Sequence, residues 1–214
     1  MATSYSQGIY SNVRKKLGGA VWYMWNGLQV GREYRRTIAN PNTMKQQLLR
    51  TRLKVLSGLA KLMRPMLTPA MTKQARAAHS TAYGWFVKSN QGAVTLSSPD
   101  DVSVAFSEIQ VCSGRLPGVD VGSIDWGSTT HLHVVVPFAL RDVQANYLGS
   151  RVYAMLAVPE LGVSLISDVS YTQSSVEIEC PASLNGMTAH VWLCCIGEDG
   201  SCSDSTYCGS DDIA

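Results

Sequence analysis

Apolar and polar residues follow two different periods along this chain, and the period changes near residue 90. Between residues 44 and 87, apolar side chains recur every three to four positions, which is the spacing of amphipathic helices. After residue 91 they alternate with a period of two, which is typical of strands with one buried face. The pattern therefore predicts an α+β fold in which helices and most strands occupy separate segments.

An N-terminal β-hairpin is predicted over residues 20–36. Asn26-Gly27 separates two β-rich runs, and both residues tolerate the positive φ angles of a type I′ turn. Alternation places Trp22 on one face of the first strand and Tyr23 and Trp25 on the other. Because an isolated hairpin is marginally stable, we expect one aromatic face to be core and the other to meet a partner.

Two helices are predicted after the hairpin, over residues 44–64 and 69–87, and they are expected to form a helical hairpin. Thr43 and Gln46 match a capping box, and Thr68-Pro69 combines an N-cap with proline at the first helical position. The buried stripe of the first helix is expected to contain Leu49, Leu53, Leu56, Ala60 and Met63, widened by Leu48, Leu59 and Leu62.

The remaining chain predicts an antiparallel, immunoglobulin-like β-sandwich, because about seven short strands are separated by turn residues. The chain is therefore predicted to consist of three parts: a flexible arm (1–12), a basic hairpin and helical-pair module (13–90) and an acidic β-sandwich domain (91–214). The strand candidates are residues 102–112, 129–137, 151–158, 162–170, 174–180, 188–197 and 204–208.

Charge separates along the same boundary. Residues 1–90 hold fifteen of the eighteen Lys and Arg residues and one acid, Glu33, which makes this part about +14. Residues 91–214 hold three bases and fifteen acids, which makes that part about −12. A chain with two such poles can bind a polyanion with one end, or stack head-to-tail on copies of itself.

A basic stripe on the first predicted helix is the main candidate for partner binding. The alternative is that the stripe is simply a solvated helix face. Such faces normally mix acidic and basic residues, whereas residues 1–90 carry fifteen bases and one acid. The stripe could follow a phosphate backbone, but no base-reading motif is visible, so docking on an acidic protein surface is favoured. The candidate partner-binding residues are Trp22, Tyr23, Trp25, Arg32, Arg35, Arg36, Arg50, Lys54, Lys61 and Arg64.

The motifs of catalysis and cofactor binding are missing from the sequence, and we expect neither an enzyme nor a cofactor. No nucleophile elbow, phosphate loop or dinucleotide fingerprint is present. His131 and His133 are two apart on a predicted strand, but nothing groups four metal ligands, so a polar sheet face is expected there instead of a metal site. No small-molecule substrate is expected.

Six cysteines lie in the acidic part, where they are expected to be reduced thiols inside a cell. Cys194 and Cys195 are adjacent on a predicted strand and should point to opposite faces. Cys202 and Cys208 could close a small disulfide loop in an oxidising medium. The N-terminus lacks the apolar core of a signal peptide and no run of about twenty apolar residues exists, so we expect a cytoplasm-like setting and no membrane contact.

The first third of the chain carries two motifs, Gly18-Gly-x-Val-x-Tyr-x-Trp-x-Gly27 and Asn40-Pro-x-Thr-x-x-Gln-x-x-x-Arg50. In these motifs the chain resembles an uncharacterised family of about 200 residues found in Bacteroidota and in their phages and prophages. The resemblance continues more loosely to Ser205–Tyr207. The chain departs from the family at Leu53, where relatives carry an aromatic residue, and in its cysteine-rich end. The family has no established activity to carry over, and the resemblance implies a phage context and a structural role.

Together these features predict a non-enzymatic structural protein of a tailed phage virion, in the neck, the tail or as a capsid accessory component. It would act by subunit docking on other virion proteins or on copies of itself, and would occupy the virion after assembly in the host cytoplasm. One alternative is a nucleic-acid-binding protein that uses residues 1–90 to contact DNA. A second alternative is a host-encoded binding or adhesion β-sandwich.

Overall fold

The computed structural model describes residues 2–4, 15–17, 19–25, 27–34, 41–127, 133–142 and 149–213. Within these residues the protein combines helices with antiparallel sheets, which confirms the α+β prediction. The helices are α1 (Met44–Leu62), α2 (Arg64–Ala77) and α3 (Ala82–Ser89). The strands are β1 (Ala2–Ser4), β2 (Lys15–Leu17), β3 (Ala20–Trp25), β4 (Leu28–Glu33), β5 (Val94–Ser98), β6 (Asp101–Val104), β7 (Val119–Val121), β8 (His133–Leu140), β9 (Arg151–Val158), β10 (Val163–Ser170), β11 (Ser175–Glu179), β12 (Thr188–Ile196) and β13 (Thr206–Asp212).

Strands β1 to β4 form an N-terminal antiparallel sheet in the order β1-β4-β3-β2. β3 and β4 are the two runs that flank the Asn-Gly turn, and Gly27 has the positive φ of 80° that such a turn needs. Trp22 lies opposite Gly31, and a Cβ at Gly31 would lie 2.6 Å from the Trp22 ring. The glycine therefore makes room for the indole. Asn26 lies outside the described residues.

Two further sheets face each other, with the orders β10-β9-β12-β13 and β11-β8-β7. Their facing side chains alternate along the strands and form what we call the inter-sheet core, whose members include Val134, Val136, Leu156, Val191 and Leu193. The adjacent residues point away from this core, as the period of a strand requires. Cys194 and Cys195 accordingly belong to opposite faces of β12, as predicted.

The helices cover the outer face of the four-stranded sheet. Apolar residues of α1, α2 and α3 pack with Met155 and Trp192 from that sheet in what we call the helix-side core, together with Leu56, Met63 and Phe86. The described fold therefore has three layers, helices on a four-stranded sheet on a three-stranded sheet. The predicted boundary at residue 90 separates charge, whereas the helix-side core crosses it and joins helices to strands.

The second predicted helix, over residues 69–87, was wrong in both its start and its continuity. α2 begins at Arg64 and contains Pro69, and only Met63 separates it from α1. The helix stops at Ala77 because His79 takes a left-handed φ of 51° and the amide of Ser80 donates to the Ala75 carbonyl oxygen. Thr81 then caps α3 by accepting from the amide of Gly84 at 3.0 Å.

Several strand predictions also need correction. The strand expected over residues 102–112 ends at Val104, because a 3₁₀ turn over Phe106–Glu108 interrupts it. β5 and β7 were missed, since each is short. Of the expected arm over residues 1–12, the structure describes only Ala2–Ser4, which pair with β4.

Candidate docking surface

The start of α1 is held by side chains of the Asn-Pro-x-Thr motif. Thr43 caps the helix by accepting from the amide of Gln46 at 3.4 Å. Asn42 has a left-handed φ of 49°, and Arg50 donates to its side-chain Oδ1 at 3.1 Å. Gln47 donates from Nε2 to the Asn42 carbonyl oxygen at 3.2 Å. Arg50 therefore fixes the turn that precedes the helix, which is a positioning role.

The reciprocal half of the predicted capping box does not form. Gln46 Oε1 is buried without a hydrogen-bond partner among the described atoms, so its side chain does not return to the helix start. Gln47 supplies the back-bond instead, one residue further along and on a different face of α1. The motif thus works through Asn42, Thr43, Gln47 and Arg50, a division of roles that the capping pattern alone could not reveal.

The first half of α1 carries an exposed apolar face, contrary to the predicted buried stripe. Leu49 and Leu53 are 55% and 50% exposed, and Met44 is exposed as well, whereas Leu56 is 1% exposed. The reason is that the helix-side core receives α1 only from Val55 onward, whereas in the first turns Gln46, Gln47 and Leu48 are half-buried and Met44 and Leu49 are exposed. Leu49 and Leu53 are one helical turn apart and therefore form one patch.

Charge on α1 is of one sign, and the predicted basic stripe lies at the surface. Arg50, Lys54, Lys61 and Arg64 are all exposed, and the helix Met44–Leu62 contains no acid. Arg64 already belongs to the start of α2. The exposed first half of α1 is therefore both apolar and basic, and we call the surface formed by Lys45, Leu49, Arg50, Leu53 and Lys54 the α1 head.

The N-terminal sheet exposes aromatic side chains of its own. Trp25 and Tyr34 are 46% and 44% exposed, and Lys16 Nζ lies 4.1 Å from the centre of the Tyr34 ring, a cation–π contact. Trp22 and Tyr23 are half-buried. Arg32 is exposed on β4, while Arg35 and Arg36 lie outside the described residues.

The expectation that one aromatic face of the hairpin is core is not met by either core described above, although Val30 of β4 is buried. Neither the helix-side core nor the inter-sheet core includes a residue of β1–β4. Among the described residues, the extensive contacts of these strands are with one another. The hairpin aromatics and the basic stripe are thus two separate exposed regions.

The basic helices pack on the acidic part of the chain mainly through apolar side chains. The ion pairs seen among the described residues, Arg141 with Asp120 at 3.0 Å and Arg151 with Asp168, both lie within the acidic part. Across the boundary, Lys73 donates to the carbonyl oxygen of Asp199. The helical layer therefore packs on the acidic part of its own chain, and Lys73 reaches that part, whereas Arg50, Lys54, Lys61 and Arg64 are exposed.

Three thiols meet in the helix-side core. A hydrogen bond to Cys194, reinforced by burial, raises the pKa of Cys112 well above its usual value. Hydrogen bonding to Cys112 and burial likewise raise the pKa of Cys202, which also accepts from Gln74 Nε2 at 3.1 Å. All six cysteines are free. Cys208 packs against the inter-sheet core, on the other side of the sheet from Cys202, so the disulfide loop considered from sequence does not form here.

An aromatic cluster closes the far end of the helix-side core. His190 stacks on Phe106 with ring centres 4.0 Å apart, and its Nδ1 lies 2.9 Å from the Tyr207 hydroxyl. Burial lowers the pKa of His190, because the charged ring would lose water. His133 is exposed at the start of β8, and His131 lies outside the described residues.

A groove opens between β10 and β11, which are edge strands of the two facing sheets. Its volume is about 700 Å³. Leu165, Val169 and Ile178 supply apolar lining, and Glu177 and Glu179 add two carboxylates. Sequence reasoning missed this site because long-range strand pairing decides which strands become edges.

Other kinds of site are not seen in the described part of the chain. No three side chains of His, Cys, Asp or Glu are grouped as metal ligands there. None of the described helices is long and apolar enough to cross a bilayer.

Comparison with known proteins returned no matching family model, no similar curated protein and no similar solved structure. The resemblance to a phage-associated family therefore stays a prediction.

Proposed function

We propose that this protein is a non-enzymatic assembly subunit that docks on a neighbouring protein through the α1 head. The observation that carries the proposal is the exposure of Leu49 and Leu53 beside Arg50 and Lys54 on a helix without acids. Contiguous apolar surface rimmed by charge is typical of protein–protein contact sites. Trp25 and Tyr34 give the N-terminal sheet a second exposed surface of the kind that dominates binding energy.

The virion of a tailed phage is the setting we propose for this docking, in the neck, the tail or as an accessory of the capsid. The motif resemblance supports that setting, and the fold supports a structural subunit. Its two facing sheets of four and three antiparallel strands are compatible with an immunoglobulin-like sandwich, and we propose that architecture for the acidic part. Mass spectrometry of purified particles should find the chain at many copies, and its absence from particles would end the virion proposal.

Charge reversal tests the docking mechanism directly. Arg50, Lys54, Lys61 and Arg64 changed together to Glu should abolish incorporation into particles. Because Arg50 also holds the helix start, the sharper variant is Lys54→Glu with Lys61→Glu. The matched control is Arg76→Glu with Lys88→Glu, which reverses two exposed bases in the last turns of α2 and α3. Equal incorporation of both double variants would remove the charge-docking mechanism.

Nucleic-acid binding through residues 1–90 is the second candidate, favoured by the outward-facing bases of α1. Several phosphate contacts would make affinity fall by orders of magnitude between low and moderate salt. Duplex DNA titrated into the protein at low and at moderate salt tests this candidate, and the absence of binding at low salt would remove it.

The adhesion alternative predicts export and disulfide bonds. The arrangement of the cysteines gives it no support, because Cys202 and Cys208 lie on opposite sides of a sheet. A thiol count on protein purified from its source is the direct test: six free thiols fit an assembly subunit, and paired cysteines would favour the exported protein.

A further inference from the structure

We propose that the groove between β10 and β11 receives the α1 head of a second copy of this chain, so that copies join head to tail. This inference deepens the proposed function, on which it rests, by naming the partner and its receiving surface. It starts from the edges of the two facing sheets. β10 pairs only with β9, and β11 only with β8, within the described sheets, so both strands present an outer edge at the same side of the molecule.

Two adjacent exposed strand edges can pair with strands of other molecules and cause aggregation unless something covers them. The side chains around the groove are those of an interface and not of a solvated loop. Ile166 and Val163 on β10 are 38% and 37% exposed, and Leu161 precedes them in the turn. Leu165 and Val169 form the apolar wall beneath. Ser167, Gln173 and Ser175 also line the groove, so its wall is mixed. A groove of this size with apolar side chains among polar ones, open to solvent, matches the composition of a non-obligate protein interface.

Charge identifies the occupant as basic. Glu177 and Glu179 line the groove on β11, where both are exposed. Asp168 on β10 is already paired with Arg151. The net negative charge at the groove therefore comes from the two glutamates. A partner that carries apolar residues between Lys or Arg side chains would match this pattern.

The α1 head has that pattern, and its dimensions agree. Lys45, Leu49 and Leu53 follow one another at four-residue steps, with Arg50 and Lys54 beside them. Ten helical residues span about 15 Å. β11, four of whose five residues line the groove, is about 17 Å long. The two exposed leucines would lie against the apolar wall formed by Leu165 and Val169, which point to the same side of β10, and the lysines would reach Glu177 and Glu179.

Head and groove are different surfaces of one chain, so the contact is heterologous. A heterologous contact leaves one free head and one free groove on every dimer, and copies therefore add until a ring closes or a filament grows. Repetition of this kind suits a subunit that is present many times in an assembly.

The test uses the full chain and two charge-reversed variants, studied by sedimentation over a range of concentrations. The head variant is Lys45→Glu with Lys54→Glu, which spares Arg50. The groove variant is Glu177→Lys with Glu179→Lys. The unaltered protein should associate, more weakly as salt rises. Each variant alone should associate about tenfold more weakly or not at all, because like charges then face each other.

Mixing the two variants is the decisive measurement. The groove variant keeps an unaltered head and the head variant keeps an unaltered groove, so the mixture should regain association. A matched control is Asp211→Lys with Asp212→Lys, which makes the same charge change on β13, the opposite edge of the four-stranded sheet. This control should associate like the unaltered protein, and circular dichroism should show all variants folded.

Three outcomes would overturn the inference: an unaltered protein that stays monomeric, a groove variant that associates normally, or a mixture that does not regain association. The first of these still leaves the proposed function testable. If the protein is monomeric but Lys54→Glu with Lys61→Glu still blocks incorporation into particles, the α1 head docks on a different protein. If incorporation is also unaffected, the proposed function fails as well.

Discussion

Asn42 occupies a backbone conformation that few residues adopt, and the side chain of Arg50 holds it there. A left-handed φ costs roughly 1–2 kcal/mol for most L-residues, and asparagine lowers that cost by local hydrogen bonding. The charge-assisted bond from Arg50 and the back-bond from Gln47 both end on Asn42. The motif therefore sets the direction in which the chain enters α1, and with it the placement of the α1 head.

Replacing Arg50 by Ala should lower the free energy of unfolding by about 1 kcal/mol, the usual worth of a net hydrogen bond of this kind. Lys54→Ala, which removes a neighbouring exposed base, should change it by less than about 0.5 kcal/mol. The double-mutant cycle with Asn42→Gly isolates the contact, since glycine keeps the positive φ but lacks the amide. If Arg50→Ala costs the same in both backgrounds, the arginine acts through something other than Asn42.

His190 makes the stability of the aromatic cluster sensitive to pH. Burial lowers its pKa in the folded protein below the unfolded value of about 6.5. The unfolded chain then binds a proton more readily, so the free energy of unfolding should fall as pH drops below about 6.5 and level off below the folded pKa. His190→Gln should flatten that part of the profile measured by urea titration, whereas His133→Gln, at an exposed position, should leave the slope in place.

At the scale of elements, α1 is one helix with two environments. Its first half meets solvent on the apolar side, and its second half enters the helix-side core. Periodicity predicted the whole stripe as buried, because spacing reports which residues share a face and not whether another layer reaches that face. The exposed leucines are thus a feature that only the packed fold reveals.

Two leucines one turn apart give a matched comparison within α1. Leu56→Ala should lower the free energy of unfolding by about 2–5 kcal/mol, because it leaves a cavity in the helix-side core. Leu53→Ala should change it by less than about 0.5 kcal/mol but should weaken partner binding. Thermal or urea unfolding measures the first effect, and incorporation into particles the second. A large loss of stability from Leu53→Ala would mean that its side chain is part of the fold and not of a docking surface.

Local chemistry accounts for the elements that sequence predicted well. Thr43 begins α1 because its hydroxyl satisfies a free amide, and β9 has the predicted bounds because Gly149-Ser150 and Pro159 interrupt the alternation at its ends. The break after α2 was missed because His79, which is not glycine, takes the left-handed conformation there. The β10–β11 groove was missed for a different reason: edge strands are defined by long-range pairing, which a single sequence does not report.

For the molecule as a whole, the central result is an asymmetry of packing. β9 and β12 are covered on one face by helices and on the other by a second sheet, and their residues are almost all buried. Among the described residues, the N-terminal sheet contributes to neither core, and its extensive contacts are internal. A molecule built this way can present its N-terminal sheet to a partner without disturbing the three layers.

Hydrogen exchange followed by mass spectrometry should expose that asymmetry. Amides of β9 and β12 should exchange only through global unfolding, since opening them requires separating both cores. Amides of β3 and β4 should exchange orders of magnitude faster, through an opening that leaves the cores intact, because a small sheet without a shared core has little to hold it closed. Leu56→Ala supplies the control: it should speed exchange in β9 and β12 and leave β3 and β4 unchanged. Equal protection in both regions, or a parallel response to Leu56→Ala, would mean that the N-terminal sheet unfolds with the rest of the protein. Trp25 and Tyr34 would then lie in a sheet that unfolds only together with the rest of the protein. A partner that displaces this sheet on docking would have to destabilise the whole fold.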